Sequence, residues 1–131
     1  MKLSFAVLLL SLFPSVALAQ EPAPLDLGAV DPAMLEDFYH PWIISNQDGS
    51  RTCRVVLKRE ETIGGNEIDV DPACASVFPV MGEIAAWRLV ENWGIVLADA
   101  TRRTRLLFTT PDAIYIADDE VDGIYSIALE D

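Results

Sequence analysis

Residues 51–59 alternate, with Cys53, Val55 and Leu57 falling on one side of the chain and Arg54 and Lys58 on the other. A period of two sustained over such a stretch predicts a half-buried β-strand. The same logic runs along most of the chain. Trp42, Ile43 and Ile44 make a short apolar strand closed by the turn formers Asn46, Asp48 and Gly49, and residues 67–70 return from a Gly64-Gly65-Asn66 turn. Further strand-like stretches occupy residues 86–91, 94–98, 104–109, 113–117 and 125–129. Between them lie Asn92-Trp93, residues 99–103, Pro111-Asp112 and residues 118–123, whose composition suits turns. Residues 75–85 read either as another strand or as a loop carrying Val77, Phe78 and Val80. After residue 113 two phases compete, one placing Ile114 and Ile116 inside and the other Tyr115. About eight short strands at intervals of roughly 8–12 residues, with no long helix, predict an all-β domain. Closure removes exposed strand edges, which favours a small eight-stranded up-and-down barrel over an open sheet.

The N-terminal part breaks this pattern. Lys2 precedes a nearly unbroken apolar run over residues 3–13, followed by Pro14 and Ser15 and then by Ala17-Leu18-Ala19. That order of parts is a secretory signal peptide over residues 1–19, with mature Gln20 at the front. The apolar run is too short for a membrane-spanning helix, which needs about 20 residues, so no stable membrane insertion is expected after cleavage. Residues 20–30 contain Pro22 and Pro24 beside Gln20 and Glu21, a composition that predicts an extended, exposed arm. Asp31-Pro32 then reads as a helix cap with proline at the first helical position. A short helix over residues 33–39 follows, stopped by Pro41. The barrel domain is assigned to residues 31–131.

Removing residues 1–19 leaves 112 of the 131 residues, enough for one domain, and moves the net charge from −12 to −13. A surface so acidic repels nucleic acid and anionic lipid, which excludes both as partners. Export to an oxidising compartment, the periplasm, makes a disulfide the expected state of Cys53 and Cys74, the two cysteines of the chain.

The search for catalytic chemistry returns little. His40 is the single histidine and sits between Tyr39 and Pro41, so no nucleophile–base pair built on imidazole is on offer beyond it. Neither phosphate-binding nor dinucleotide-binding glycine patterns occur. Asp118, Asp119, Glu120 and Asp122 crowd one turn, but their spacing is not that of an EF-hand, and a solvated turn is the expectation. Arg102, Arg103 and Arg105 are expected to pair with neighbouring carboxylates. Trp42, Trp87 and Trp93 either close a packed core or line a cavity for a small apolar ligand. No enzyme activity, cofactor or metal is expected, and the chain is expected to act as a monomer.

The succession of Trp42, the strand Cys53-Arg54-Val55-Val56-Leu57, a glycine turn, Cys74 and Trp87 resembles the bacterial inhibitors of serralysin-type alkaline metalloproteases. The similarity continues through residues 94–99, Phe108 and Tyr115 and covers most of residues 32–129. The family includes lipid-anchored outer-membrane relatives with broader inhibition. The resemblance implies an exported eight-stranded barrel with one disulfide, whose mature N-terminus threads into the cleft of a secreted zinc protease. Carried onto this chain, Gln20, Glu21, Pro22, Ala23 and Pro24 would be the protease-contacting arm, standing free of the barrel. The alternative from the tryptophans is a periplasmic binding module for a small apolar ligand.

Overall fold

A computed structural model describes residues 21–110 and 114–131. The signal peptide expected over residues 1–19, and Gln20, lie outside the described residues. Eight antiparallel strands close into a barrel in chain order. They are β1 (Pro41–Asn46), β2 (Thr52–Thr62), β3 (Gly65–Val70), β4 (Ile84–Val90), β5 (Gly94–Asp99), β6 (Thr104–Thr109), β7 (Tyr115–Ala117) and β8 (Ile124–Leu129). The last strand returns to the first, pairing Trp42 with Leu129 and Ile44 with Ile127.

The alternation seen in the sequence sets the inward face. Cys53, Val55 and Leu57 of β2 are buried, as are Ile95 and Leu97 of β5 and Leu106 and Phe108 of β6. In β8, Ile124 and Ile127, three residues apart, both reach the core because the β1–β8 register shifts between Ser45 and Asn46. In β7 the phase is settled by Tyr115, which packs against the core while Ile114 is exposed. The interior is therefore filled by the chain's own side chains, and the barrel core is not the ligand cavity that the alternative reading needs. β5 departs from simple alternation. Its outward Val96 and Ala98 are also buried and join Val90 in a second small cluster against Leu107.

Each end of the barrel has its own stopper. At the end where β1 begins, α1 (Pro32–Glu36) leads in. Its cap is the expected one, since the Asp31 carboxylate accepts the Ala33 N–H at 2.9 Å and Pro32 opens the helix. The helix is shorter than the sequence suggests. It stops at Glu36, and the chain then turns so that Phe38 enters the barrel mouth. There Phe38 stacks with Trp42, Trp87 and Trp93 at centroid distances of 6.0, 6.4 and 5.8 Å. The indole N–H groups of Trp42 and Trp87 donate to the carbonyls of Phe38 and Lys58 at 3.0 and 2.9 Å. All three tryptophans thus serve packing around one phenylalanine.

At the opposite end, residues 75–85 are mostly helical where the sequence left a choice between strand and loop. They hold most of α2 (Cys74–Val77), then a 3₁₀ turn (Pro79–Glu83), and only at Ile84 does β4 begin. Cys74, Phe78, Val80 and Met81 are buried by this lid. Cys53 and Cys74 form the expected disulfide, tying the lid to β2. The lid is held from outside by residues that composition did not single out for this work. Arg51 lies over the Phe78 ring at 5.2 Å and donates to the Val77 carbonyl. Asp122, from the acidic turn, accepts the Val80 N–H at 2.7 Å. One member of that turn is therefore a helix-capping group.

The β5–β6 loop is organised by Asp99. Its carboxylate accepts from the Thr101 hydroxyl, the Thr101 N–H and the Arg103 N–H, and Arg105 lies 3.6 Å away. These donors, the Thr101 hydroxyl first, hold the Asp99 carboxyl below the usual aspartate range. Arg105 also pairs with Glu83 at 2.9 Å, as the sequence suggested for this basic cluster.

Candidate functional site

The described residues of the proposed arm meet the barrel along β4. β3 covers only part of that strand, because the β2–β3 turn ends its lane early and Asn66 opposite Trp87 is the single paired position. The turn can approach this closely because Gly65 has no side chain. A Cβ there, at φ 149°, would stand 2.3 Å from the Trp87 carbonyl oxygen. Beyond Trp87 the edge of β4 would be left with unpaired backbone groups, which buried or partly buried chains seldom tolerate.

Ala23, Pro24 and Leu25 fill that vacancy. The Leu25 N–H donates to the Leu89 carbonyl at 3.1 Å, and the Glu91 N–H donates to the Ala23 carbonyl at 2.9 Å. Pro24 sits opposite Val90 in an antiparallel bridge. Both bonds belong to the flanking residues, so Pro24 occupies the position that needs no N–H, and its missing donor costs nothing there. Leu25 packs against the main core. This part of the segment is consequently seated on the barrel, where the sequence led us to expect it free. The physical reason is the open edge of β4, which is invisible until β3 is seen to end at Gly65.

Ahead of Ala23 the chain turns back over the outer face. Glu21 reaches Arg88 of β4 at 3.4 Å. Arg88 is itself fixed, donating to the Gly64 carbonyl at 3.0 Å and to the Thr104 hydroxyl at 2.8 Å. Glu21 and Pro22 border a groove of about 460 Å³ whose other wall includes Leu107, Asp119 and Val121. Despite these contacts, Glu21, Ala23 and Pro24 remain exposed, and only Pro22 and Leu25 are partly covered. The segment is tethered at the surface, not buried. Sequence reasoning named its residues but missed Arg88, Leu89 and Glu91, the partners that position it; the one available signal was a proline-bearing segment too short to form a strand alone.

The turn after β4 contributes to the same end. Asn92 and Trp93 adopt φ values of 61° and 62°, two successive left-handed residues. Asparagine accepts that conformation readily and tryptophan does not. Trp93 is held there by its stacking on Phe38 and by the Tyr115 hydroxyl, which donates to the Trp93 carbonyl at 2.8 Å. Burial pushes the Tyr115 phenol up, so it stays a neutral donor through the physiological range. His40 is exposed at the chain reversal before β1, and its carbonyl accepts the Leu57 N–H. Among the described residues, no group of three or more histidine, cysteine or acidic side chains is placed to hold a metal ion.

A disulfide-tied barrel with both ends stoppered and an N-terminal segment seated along one strand defines a small scaffold protein that presents a peptide at its surface. The family model described as protease inhibitor Inh matches residues 34–126. The chain belongs to that family, the bacterial alkaline metalloprotease inhibitors that its Trp–Cys–Cys–Trp order resembles. The match begins at Met34, after the segment seated on β4. No curated protein matches the chain. As a member of this family the protein is a protease inhibitor, and a protease is its partner.

Proposed function

We propose that the mature protein is a periplasmic inhibitor of a secreted zinc endopeptidase of the serralysin type, and that it works by placing its N-terminal segment in the active-site cleft. Gln20, Glu21 and Pro22 are the residues proposed for the cleft, Ala23 and Pro24 join them to the edge of β4, and the Cys53–Cys74 barrel is the body that carries them. The observation that supports this most is family membership combined with an exposed, proline-bearing peptide at the front of the folded domain. Proline suits the task for two reasons. A pre-extended chain loses little entropy when it is ordered in a cleft. X-Pro bonds are also poor substrates for most endopeptidases, so the segment can occupy the cleft without being cut. A leading Gln20 can cyclise, in which case a carbonyl oxygen in place of an amine would face the zinc.

Protease class is the discriminating variable. With the mature protein in slight molar excess, a serralysin-type zinc endopeptidase is expected to lose nearly all activity, while serine and cysteine endopeptidases keep theirs. Inhibition confined to a serine or cysteine endopeptidase would remove the zinc assignment and leave a protease inhibitor of another class.

A further inference from the structure

We infer that β4 divides the N-terminal segment into a base that stays on the barrel and a tip that moves, with Arg88 as the resting place of the tip. This rests on the reading that the segment enters a protease cleft. The two parts differ in how they are held. The base, Ala23, Pro24 and Leu25, has two backbone hydrogen bonds to Leu89 and Glu91, and Leu25 packs against the core. Among the described residues, the tip is held by one ion pair, Glu21 to Arg88, with 44% of the Glu21 side chain exposed. An exposed pair of this kind is weak and is screened by salt, whereas the backbone bonds complete the otherwise open edge of a strand.

The order of release follows from that difference. Glu21 leaves Arg88, the chain pivots about Pro22 and Ala23, and the base remains in the β4 lane as a fixed root. Glu21 and Pro22 then extend about 7 Å ahead of Ala23, at 3.3–3.6 Å per residue. A fixed root brings β4 and the Asn92–Trp93 turn up to the rim of the protease, so that only the leading two or three residues enter. It also removes the cost of ordering the base on binding, since the base is ordered already. Arg88 is a positioning residue in this scheme. Its contacts to Gly64 and Thr104 keep it in place after Glu21 departs.

The test locks the base to β4. Pro24 and Val90 form a non-hydrogen-bonded pair, whose Cα separation of about 4.5 Å is compatible with a disulfide. A mature double variant, Pro24→Cys with Val90→Cys, is oxidised, its new bridge is confirmed by peptide mapping, and it is titrated against the zinc endopeptidase beside the parent chain. Cross-linked protein is expected to inhibit within about threefold of the parent, because the base need not move. Loss of inhibition by more than about tenfold on cross-linking, with the parent fully active, would overturn the fixed base while leaving the arm reading intact. If a chain that begins at Asp26 inhibits as well as the parent, both the arm reading and the fixed base fail. Hydrogen exchange on the unmodified protein gives a second measurement that needs no variant. The Leu25 and Glu91 amides are expected to stay protected in the complex, and deprotection of both on binding would overturn the proposal.

Discussion

A mature chain that begins at Asp26 is expected to inhibit the zinc endopeptidase about 30- to 700-fold less well than the chain that begins at Gln20. The expectation comes from where binding energy concentrates. Interfaces depend on a few residues that enter desolvated pockets, and losing one or two of them costs about 2–4 kcal/mol, with 1.4 kcal/mol equal to tenfold. The leading residues of the segment are those proposed for the cleft, whereas its base and the barrel would meet the protease at the rim, where contacts count for less. The shortened chain should still fold. It gives up two backbone hydrogen bonds and the packing of Leu25, but the eight strands, both end stoppers and the disulfide remain. Inhibition constants and thermal melts measured together separate the two effects: weak inhibition with a near-native melt is expected. A chain beginning at Ala23 keeps the base and is expected to lose inhibition as well. Full inhibition by the Asp26 chain would place the inhibitory surface on the barrel itself.

Replacing Cys53 and Cys74 together by alanine is expected to lower folding stability by about 3 kcal/mol, the chain-entropy value for a loop near 20 residues. The bridge spans a sequence separation of 21 and ties the lid of α2 and the following 3₁₀ turn to β2. Both sulfurs are buried, so lost packing adds to the loss of loop closure. Against a typical domain stability of about 5–15 kcal/mol, this is a large change but not always one that abolishes folding. Denaturant unfolding followed by tryptophan fluorescence reads it directly, since Trp42 and Trp87 are buried in the core. Where the variant remains folded, its inhibition should match the parent, because the bridge lies at the barrel end opposite Phe38. An unchanged midpoint would mean that Arg51 and Asp122 alone hold the lid.

The parts of this fold that were legible in the sequence are those with local causes. Alternation in β2 marks its inward Cys53, Val55 and Leu57, and the Asp31-Pro32 pair marks the start of α1. What was not legible depends on contacts between distant parts of the chain. Residues 75–85 have the apolar content of a strand, yet they cap a barrel end, a role fixed by Cys53, Arg51 and Asp122 from three other places. The tryptophans could not be divided between packing and ligand binding until Phe38 was seen among them. The site was half legible. Proline content named the exposed segment, but its seat depends on β3 stopping at Gly65, a consequence of one close approach to Trp87.

In the proposed mode of inhibition, the leading residues lie beside the catalytic metal of the inhibited protease. Cobalt(II) substituted for zinc in a serralysin-type endopeptidase reports on that directly through its visible absorption bands. Adding one equivalent of the mature protein is expected to shift those bands, and the chain that begins at Asp26 is expected to leave them in place. Complete inhibition with an unchanged cobalt spectrum would contradict the claim and put the blocking contact away from the metal.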